Sequence, residues 1–259
     1  MKVIILAGGF GTRISEESIL KPKPLIEISG TPIIVDIMKW YSKYKFNDFV
    51  ICCGYKGNML KEYFANYLIY RNDLLLDFEK NKKFFLSNQN ENNWKISLID
   101  TGLHTQTASR ILRLKDILLN ETFMLTYGDG LSDIDINKLL EFHNKSKKIC
   151  TISLVSPIGR FGTVNVDKKG LILEFIEKPK NERSWINGGF MVIDGKRVFD
   201  WINSDKDESF EFVTLKKLAE NNQLVGYKHY GFWHCMDSLR DKKTLEKMVD
   251  EGNAPWKIN

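Results

Sequence analysis

The N-terminus constrains the fold most, because a short apolar run leads directly into a cluster of glycines. Val3–Ala7 is rich in β-branched residues and is predicted to be a buried strand. Gly8, Gly9 and Gly11 follow within four residues. Glycine has no Cβ, so backbone N–H groups can turn toward a ligand without obstruction. A glycine turn that follows a buried first strand is well placed to hold phosphate groups at the carboxyl edge of a sheet.

Strand-like and helical segments alternate through the first 155 residues. Strands are predicted at Val3–Ala7, Asp48–Cys53, Lys95–Asp100, Thr122–Tyr127 and Cys150–Val155. Helices are predicted at Ile33–Lys45, Asn58–Tyr70, Ser109–Leu119 and Asp135–Ser146. This alternation predicts an α/β fold, in which helices cover both faces of a mostly parallel sheet.

The pattern changes after about residue 156. A hairpin is predicted from residues 162–166 and 171–177, and the polar stretch Phe84–Trp94 is predicted to be a loop. A strand at Asn187–Ile193 and helices at Arg197–Ile202, Glu211–Asn221 and Leu239–Glu251 complete the prediction. The sequence shows neither a repeat nor a linker. We therefore expect one domain over residues 1–259, with a small C-terminal β/α extension.

Composition narrows the possible functions. Apolar residues make up 43% and charged residues 27%, as in ordinary globular proteins. The net charge of +5 comes from scattered lysines rather than an arginine-rich stripe, so nucleic acid is not an expected partner. No apolar run approaches the roughly 18 residues of a membrane span, and no signal-peptide pattern is present. We expect a cytoplasmic protein that makes no contact with membranes.

The four cysteines have no metal-binding spacing. Cys52, Cys53, Cys150 and Cys235 contain no CxxC pair and are predicted to be buried free thiols. Cys52 and Cys53 are adjacent in a predicted strand, so their side chains should point to opposite faces of the sheet.

Two basic residues follow the glycine turn. Arg13 offers a planar, permanently charged fork that matches phosphate geometry. Lys23 lies between Pro22 and Pro24, which hold the loop extended and present the lysine at low entropic cost. Alone, the glycines fit a tight turn and the lysine a solvated loop; together they predict a polyphosphate site. Position 14 is Ile, so the dinucleotide fingerprint fails, and the Gly-Lys-Ser/Thr ending of a P-loop is missing.

These motifs resemble those of a known family. Ala7-Gly8-Gly9-x-Gly11-Thr12-Arg13 followed by Lys21-Pro22-Lys23-Pro24 resembles the signature of the sugar-1-phosphate nucleotidyltransferases. Further motifs resemble its glucose-1-phosphate cytidylyltransferase branch and run in order over essentially the whole chain. They include Cys52-Cys53-Gly54-Tyr55-Lys56-Gly57, Thr126-Tyr127-Gly128-Asp129-Gly130, Glu177-Lys178-Pro179-Lys180, Asn187-Gly188-Gly189-Phe190 and Met236-Asp237.

The resemblance implies a Rossmann-like (GT-A-like) mixed sheet and a magnesium-dependent enzyme that transfers CMP from CTP to a sugar 1-phosphate. Glucose 1-phosphate is the implied acceptor, and CDP-sugar and pyrophosphate are the products. Residues 1–155 would bind the nucleotide, and residues 156–259 would bind the sugar and supply the second metal ligand. The implied partners are CTP and a sugar phosphate, with assembly into a homo-oligomer.

The resemblance also assigns roles to residues. Asp129 and Asp237 match magnesium ligands, and Arg13 and Lys23 match catalytic positions that hold phosphates. Substrate contacts are implied for Leu6, Ala7, Gly8, Gly9, Phe10, Gly11, Thr12, Arg13, Lys23, Thr105, Arg110, Gly128, Glu177, Lys178, Asn187 and Gly188. Without the resemblance, Asp129-Gly130 and Asn187-Gly188 would be turns, and Glu177-Lys178 a surface pair.

The chain departs from the branch at two points. Ala108-Ser109 replaces Gly-Gly, and His234-Cys235 stands where the branch tends to have a Pro before Met-Asp. Several alternatives therefore remain: dTTP or UTP as the donor, another sugar or polyol phosphate as the acceptor, or a non-catalytic regulatory subunit. The aromatic residues Tyr63, Phe64, Tyr67 and Tyr70 fit either an oligomer interface or core packing equally well.

Overall fold

A seven-stranded mixed sheet lies at the centre of the protein, whose computed structural model describes residues 1–86, 93–156, 163–166, 171–176 and 185–258. The strands are β1 (Lys2–Leu6), β2 (Glu27–Ile28), β3 (Thr31–Pro32), β4 (Asp48–Cys53), β5 (Leu74–Asp77), β6 (Lys82–Phe85), β7 (Lys95–Asp100), β8 (Thr122–Tyr127), β9 (Gly130–Ser132), β10 (Cys150–Val155), β11 (Thr163–Val166), β12 (Ile172–Ile176), β13 (Ile186–Asp194), β14 (Leu224–Lys228) and β15 (Trp233–Cys235).

Helices connect these strands. The α-helices are α1 (Ser15–Ser18), α2 (Ile33–Lys43), α3 (Gly57–Ala65), α4 (Tyr67–Arg71), α5 (Thr107–Leu112), α6 (Lys115–Leu118), α7 (Ile136–Ser146), α8 (Gly195–Val198), α9 (Lys216–Glu220) and α10 (Leu239–Asp250). Short 3-10 turns lie at Thr12–Ile14, Lys23–Leu25 and Phe199–Trp201, and a π-helix lies at Phe210–Leu215. None of the helices in these segments has the length and apolar character needed to cross a membrane.

The strand order in the large sheet is β14-β10-β13-β8-β1-β4-β7. β1 pairs in parallel with β4 and β8, β4 with β7, and β10 with β14. β13 is antiparallel to both of its neighbours, β8 and β10. The predicted α/β Rossmann-like fold with a mostly parallel mixed sheet is confirmed. Because β1, β4, β7 and β8 are parallel, their carboxyl ends share one edge of the sheet.

Apolar side chains cover both faces of the sheet. One face packs against α2, α3 and α7, and the other packs against α5, α6 and α8. Cys53 belongs to the first core and Cys52 to the second, which confirms that these neighbours point to opposite faces. The alternation of side chains along β4 is the physical reason.

Four predicted strands have the observed bounds, namely Asp48–Cys53, Lys95–Asp100, Thr122–Tyr127 and Cys150–Val155. β11 and β12 pair antiparallel, as predicted, although the turn at 167–170 lies outside the described residues. These strands could be predicted from local sequence because they are rich in β-branched or apolar residues.

Several predicted boundaries were wrong. The helix predicted at Asn58–Tyr70 is divided at Asn66, whose φ of −102° and ψ of 8° end α3. The helix predicted at Ser109–Leu119 begins earlier, at Thr107, and is divided into α5 and α6. The predicted loop Phe84–Trp94 begins too early, because Phe84 and Phe85 belong to β6. Strands β9, β14 and β15 were not predicted; β9 and β15 are three residues long and depend on their partners.

Candidate functional site

A cavity of about 730 Å³ opens at the edge of the sheet where β1 and β8 end. Most of the residues predicted to bind substrate or metal line it: Leu6, Ala7, Gly8, Gly9, Phe10, Gly11, Thr12, Lys23, Thr105, Arg110, Gly128, Asp129, Asn187 and Asp237. The backbone of Gly128 is tied directly to the first strand, since its N–H donates to the Leu6 carbonyl at 3.1 Å. The parallel pairing of β1 and β8 thus brings residues 6 and 128 together.

Lys23 joins the two aspartates at the floor of the cavity. Its Nζ donates to Asp129 Oδ2 at 2.6 Å and to Asp237 Oδ1 at 2.7 Å. The Lys23 side chain is only 11% exposed. Burial opposes the charge, but the attraction of Asp129 and the hydrogen bonds to both aspartates raise the pKa of Lys23 above its ordinary value. The site therefore holds a permanent positive charge between two carboxylates.

The short pairing of β9 with β15 explains how two aspartates so far apart in sequence meet. Cys235 lies opposite Gly130 in this antiparallel pair, and Met236 N donates to the Asp129 carbonyl at 2.9 Å. Asp129 precedes β9 and Asp237 follows β15, so their side chains emerge at the same end of the pair. The spacing of these residues in the sequence carries no signal for this long-range contact.

A side chain at the start of α10 forms a hydrogen bond with the backbone of Asp237. Asp241 Oδ2 accepts hydrogen bonds from Asp237 N at 3.1 Å and from Ser238 Oγ at 2.7 Å. Ser238 caps the helix by accepting from Asp241 N at 3.3 Å. His234 contacts the same carboxylate, with Nε2 at 3.7 Å from Asp241 Oδ1. These contacts fix the backbone of the second aspartate.

Cys235 lies at the site, in contrast to the buried free thiol predicted for it. Cys52, Cys53 and Cys150 are buried as expected, but Cys235 is only partly buried and lines the cavity. Its sulfur and one carboxylate oxygen each from Asp129 and Asp237 all lie within 4.8 Å of one another. Burial, followed by the negative charge of Asp129, raises the pKa of the Cys235 thiol well above its usual range.

Arg110 supports the glycine turn from below. Its guanidinium donates to the carbonyls of Gly8, Cys53 and Gly102 at 3.0, 3.2 and 2.8 Å and to Thr101 Oγ1 at 2.7 Å. These acceptors follow or end β1, β4 and β7. A Cβ at Gly8 would overlap the guanidinium, which gives that glycine a packing requirement. Arg110 is 4% exposed and ties three strand ends together.

Substitution of Arg110 should therefore destabilise the protein. We expect Arg110→Met to lower the free energy of unfolding by about 3 kcal/mol, because several buried carbonyls would lose their donor. Urea unfolding followed by circular dichroism measures this change. Arg113→Met is the matched control, since Arg113 is exposed on the same segment and should change stability by less than about 0.5 kcal/mol. Equal effects in the two variants would contradict the supporting role.

The outer part of the turn is open to the cavity. A Cβ at Gly9 would meet no atom within 4 Å, so its backbone faces free space. The Phe10 ring is 43% exposed, with its centroid 5.1 Å from the Tyr55 ring and 5.7 Å from the His104 ring. Thr105 follows His104 along the same wall. The exposed Phe10 ring thus provides an aromatic surface beside the glycine turn.

The structure also reveals a carboxylate that the sequence analysis missed. Glu211 accepts hydrogen bonds from Tyr127 Oη at 2.7 Å, Thr107 Oγ1 at 2.6 Å and Ser209 Oγ at 2.7 Å. Burial, followed by the charge of Glu211, raises the pKa of Tyr127, so the phenol remains a donor. Asn187 Nδ2 reaches Tyr127 Oη at 3.4 Å and extends this polar wall. From the sequence, Glu211 was predicted only to be the first residue of a helix.

The other predicted residues are placed as follows. The Gly188 carbonyl accepts from Trp233 Nε1 at 2.7 Å, which packs Gly188 beside the cavity wall. The backbone of Arg13 lies in the 3-10 turn Thr12–Ile14, while its side chain is outside the part that the structure describes. Glu177 and Lys178 also lie outside the described residues.

The first of the two departures noted in the sequence, Ala108-Ser109, contacts a neighbouring segment. Ala108 is buried at the start of α5, and its N–H donates to the Glu208 carbonyl at 3.0 Å. Ser109 Oγ accepts from Glu208 N at 3.3 Å. Both residues thus connect α5 to the segment that precedes the π-helix.

Comparisons with known proteins show what this chain is similar to. Residues 2–234 match the family described as "Nucleotidyl transferase". The chain is 43% identical to glucose-1-phosphate cytidylyltransferase of Salmonella typhimurium over 99% of both chains, and 41% identical to a probable glucose-1-phosphate cytidylyltransferase of Bacillus subtilis over 100% of both. The fold is similar to that of HddC from Yersinia pseudotuberculosis complexed with GMP-PN. The TM-score is 0.68 at 22% identity, over 96% of this chain and 99% of that chain.

Proposed function

Because this chain belongs to the nucleotidyl transferase family, we propose that it transfers CMP from CTP to glucose 1-phosphate, forming CDP-glucose and pyrophosphate. The observation that carries the proposal is the Lys23 ammonium, held between Asp129 and Asp237 beside the glycine turn. The same place offers one fixed positive charge and two carboxylates that suit a divalent cation. Phosphoryl-group chemistry depends on such charge neutralisation and positioning.

The triphosphate binds along the glycine turn in this proposal. The backbone of Gly8, Gly9 and Gly11 lines the cavity at the end of β1, and the open space above Gly9 leaves room for close approach. Arg13, the next charged residue, is proposed to hold the end of the triphosphate. The exposed Phe10 ring and Thr105 lie along the wall where the base would rest.

Magnesium is the proposed cofactor, with Asp129 and Asp237 as its ligands. The ammonium that bridges these carboxylates marks a position where a cation is stable, so the residues fit the metal. Magnesium commonly takes one or two carboxylates and completes its shell with water and phosphate oxygens. When bound, it would neutralise the developing charge on the phosphate oxygens.

The chemical step is an in-line displacement. An oxygen of the sugar phosphate attacks the α-phosphorus of CTP, and the bond between this phosphorus and the bridging oxygen of pyrophosphate breaks. The attacking oxygen is already anionic, so the mechanism requires no general base. Lys23, which pairs with both aspartates here, is proposed to contact the α-phosphate and the incoming phosphate when the substrates bind. Its positive charge would align the two reacting groups.

The sugar binds on the side of the cavity formed by Asn187 and the carboxylate network. Three hydroxyl donors occupy most of the acceptor sites of Glu211, so this side chain is fixed as part of the wall. The Asn187 side-chain amide is positioned by Gly189 N, which donates to its Oδ1 at 2.9 Å. Glu177 and Lys178 are proposed to contact the sugar hydroxyls and the sugar-linked phosphate, as the family resemblance implies.

Pyrophosphate release from purified protein tests the proposal. Each nucleoside triphosphate is paired with a panel of sugar and polyol phosphates, with and without Mg²⁺. Release that requires Mg²⁺ and is greatest with CTP and glucose 1-phosphate supports the proposal in full. Release only with dTTP or UTP, or only with another acceptor, overturns the proposed substrates and keeps the transfer reaction. No release with any pair favours the regulatory-subunit alternative.

Self-association is a further part of the proposal. The hairpin of β5 and β6 exposes a group of large apolar side chains: Leu75, Leu76, Phe78, Phe84, Phe85 and Leu86. Several large apolar side chains exposed on one hairpin are a feature of protein interfaces. Of the aromatic residues considered for an interface, Phe64 and Tyr67 are instead buried in the core, while Tyr70 is exposed. Light scattering after size-exclusion chromatography measures the assembly, and the mass of a single chain would contradict it.

A further inference from the structure

We propose that Cys235 gives this centre a third, sulfur ligand, so that Asp129, Cys235 and Asp237 together bind a thiophilic divalent cation such as Zn²⁺, Cd²⁺ or Co²⁺. This site goes beyond the magnesium function, which needs only the two carboxylates. It stands or fails independently of whether the chain transfers CMP.

The geometry brings three donors of two kinds to one point. The Cys235 sulfur and one oxygen from each aspartate lie within 4.8 Å of one another, and the thiol is hydrogen-bonded to Asp237. A zinc ion has ligand distances of about 2.3 Å to sulfur and about 2.0–2.2 Å to carboxylate oxygen. In the proposed site, the three side chains would move toward one another until all three donors reach these distances from one ion.

The backbone holds this arrangement. Cys235 is paired with Gly130 in the β9–β15 ladder, and the next N–H, from Met236, is bonded to the Asp129 carbonyl. Side chains alternate along a strand, so the Cys235 side chain points into the cavity while that of His234 turns toward Asp241. The sulfur is consequently fixed beside the aspartates rather than carried by a mobile loop.

A cation is already stabilised at this point. The Lys23 ammonium lies between the two carboxylates and donates a hydrogen bond to each of them. A divalent ion that enters would displace the ammonium and take over its electrostatic role. The fourth position of a tetrahedral ion would remain open toward the cavity for water or phosphate.

Sulfur changes which metal the centre prefers. Magnesium selects oxygen ligands and does not gain from a thiol, whereas zinc, cadmium and cobalt form strong bonds to thiolate. The Cys235 thiol would lose its proton to solvent as the metal–sulfur bond forms, so one proton is released for each ion bound. We therefore expect the metal-free protein to bind thiophilic ions far more tightly than it binds Mg²⁺.

Absorption spectroscopy with Co²⁺ and Cd²⁺ tests the site directly. Titration of the nucleotide-free protein with Co²⁺ should produce a thiolate-to-cobalt charge-transfer band at a stoichiometry of one ion per chain. Cys235→Ala should abolish the band and weaken binding by about 100-fold or more. Cys150→Ala is the matched control, because Cys150 is a fully buried thiol in β10, away from the aspartates, and its loss should leave the band intact.

Competition locates the band at the proposed centre. Asp237→Asn should weaken cobalt binding without removing the charge-transfer band, since the sulfur ligand remains. Excess Mg²⁺ should displace Co²⁺ only at concentrations far above those of Co²⁺. A band that persists in Cys235→Ala, or wild-type protein that binds Co²⁺ without a band, would overturn the proposal. Circular dichroism of Cys235→Ala confirms that its fold is retained.

Discussion

Asp129→Asn should lower kcat by about 10³-fold or more with saturating CTP and glucose 1-phosphate, which corresponds to about 4 kcal/mol in the barrier. The substitution keeps the size of the side chain but removes a charge from the proposed metal site. Lys23 would retain its contact with Asp237 at 2.7 Å, so the local structure should survive. Steady-state pyrophosphate release measures the effect.

The thermal unfolding midpoint serves as the fold control for this variant. Asp129 is partly exposed and makes no contribution to either hydrophobic core, so the midpoint should fall by only a few degrees. Asp116→Asn is a matched control, since Asp116 is exposed on α6 and should have wild-type turnover. Turnover in Asp129→Asn within twofold of wild type would refute the assignment of Asp129 as a metal ligand.

Local sequence predicted the part of the fold that carries strong local signals. The parallel strands β1, β4, β7 and β8 are apolar runs that alternate with helical segments, and each was placed within a residue or two. The glycine turn could be interpreted because its residues are adjacent in the chain. The meeting of this turn with Gly128-Asp129 was implied only by the family resemblance, and it arises from the parallel pairing of β1 with β8.

The missed parts depend on contacts between distant segments. The β9–β15 pair joins residues about one hundred positions apart and has three residues on each strand. Arg110 could be named from the family resemblance, but its bonds to three strand ends arise only when β1, β4 and β7 lie side by side. The role of Glu211 was missed because its hydrogen bonds form only where the π-helix approaches α5. At this contact, Phe210 N donates to Thr107 Oγ1 at 2.8 Å.

The departures from the family pattern also acquire a physical interpretation. Ala108 contacts Glu208 through its backbone N–H, as a glycine also could, whereas Ser109 Oγ adds a side-chain contact with Glu208 that a glycine would lack. Cys235 replaces a residue before Met-Asp and places a sulfur atom next to both aspartates. The first departure lies at the start of α5, while the second lies at the proposed metal site. Their consequences are therefore separable by experiment.

Lys23→Met should lower kcat by about 10²- to 10³-fold, because the phosphate groups lose their buried positive partner. Methionine keeps much of the length of the stem and removes the ammonium. Lys21→Met is the matched control, because Lys21 lies two residues away on the same loop but is half exposed and pairs with Glu27 at 2.7 Å. The control should stay within about twofold of wild type, since exposed ion pairs contribute little.

Although Lys23→Met should lower turnover, it should strengthen the binding of a divalent cation to the metal-free protein. Without the ammonium, Asp129 and Asp237 face each other as uncompensated carboxylates, and this costs stability. Mn²⁺ would relieve the repulsion, so it should bind Lys23→Met about tenfold more tightly than wild type and raise its unfolding midpoint further. Electron paramagnetic resonance of free Mn²⁺ measures the affinity. If turnover and Mn²⁺ affinity both matched wild type, Lys23 would be a solvated loop residue; a loss of turnover with tighter Mn²⁺ binding would show that Lys23 and the metal share one pair of carboxylates.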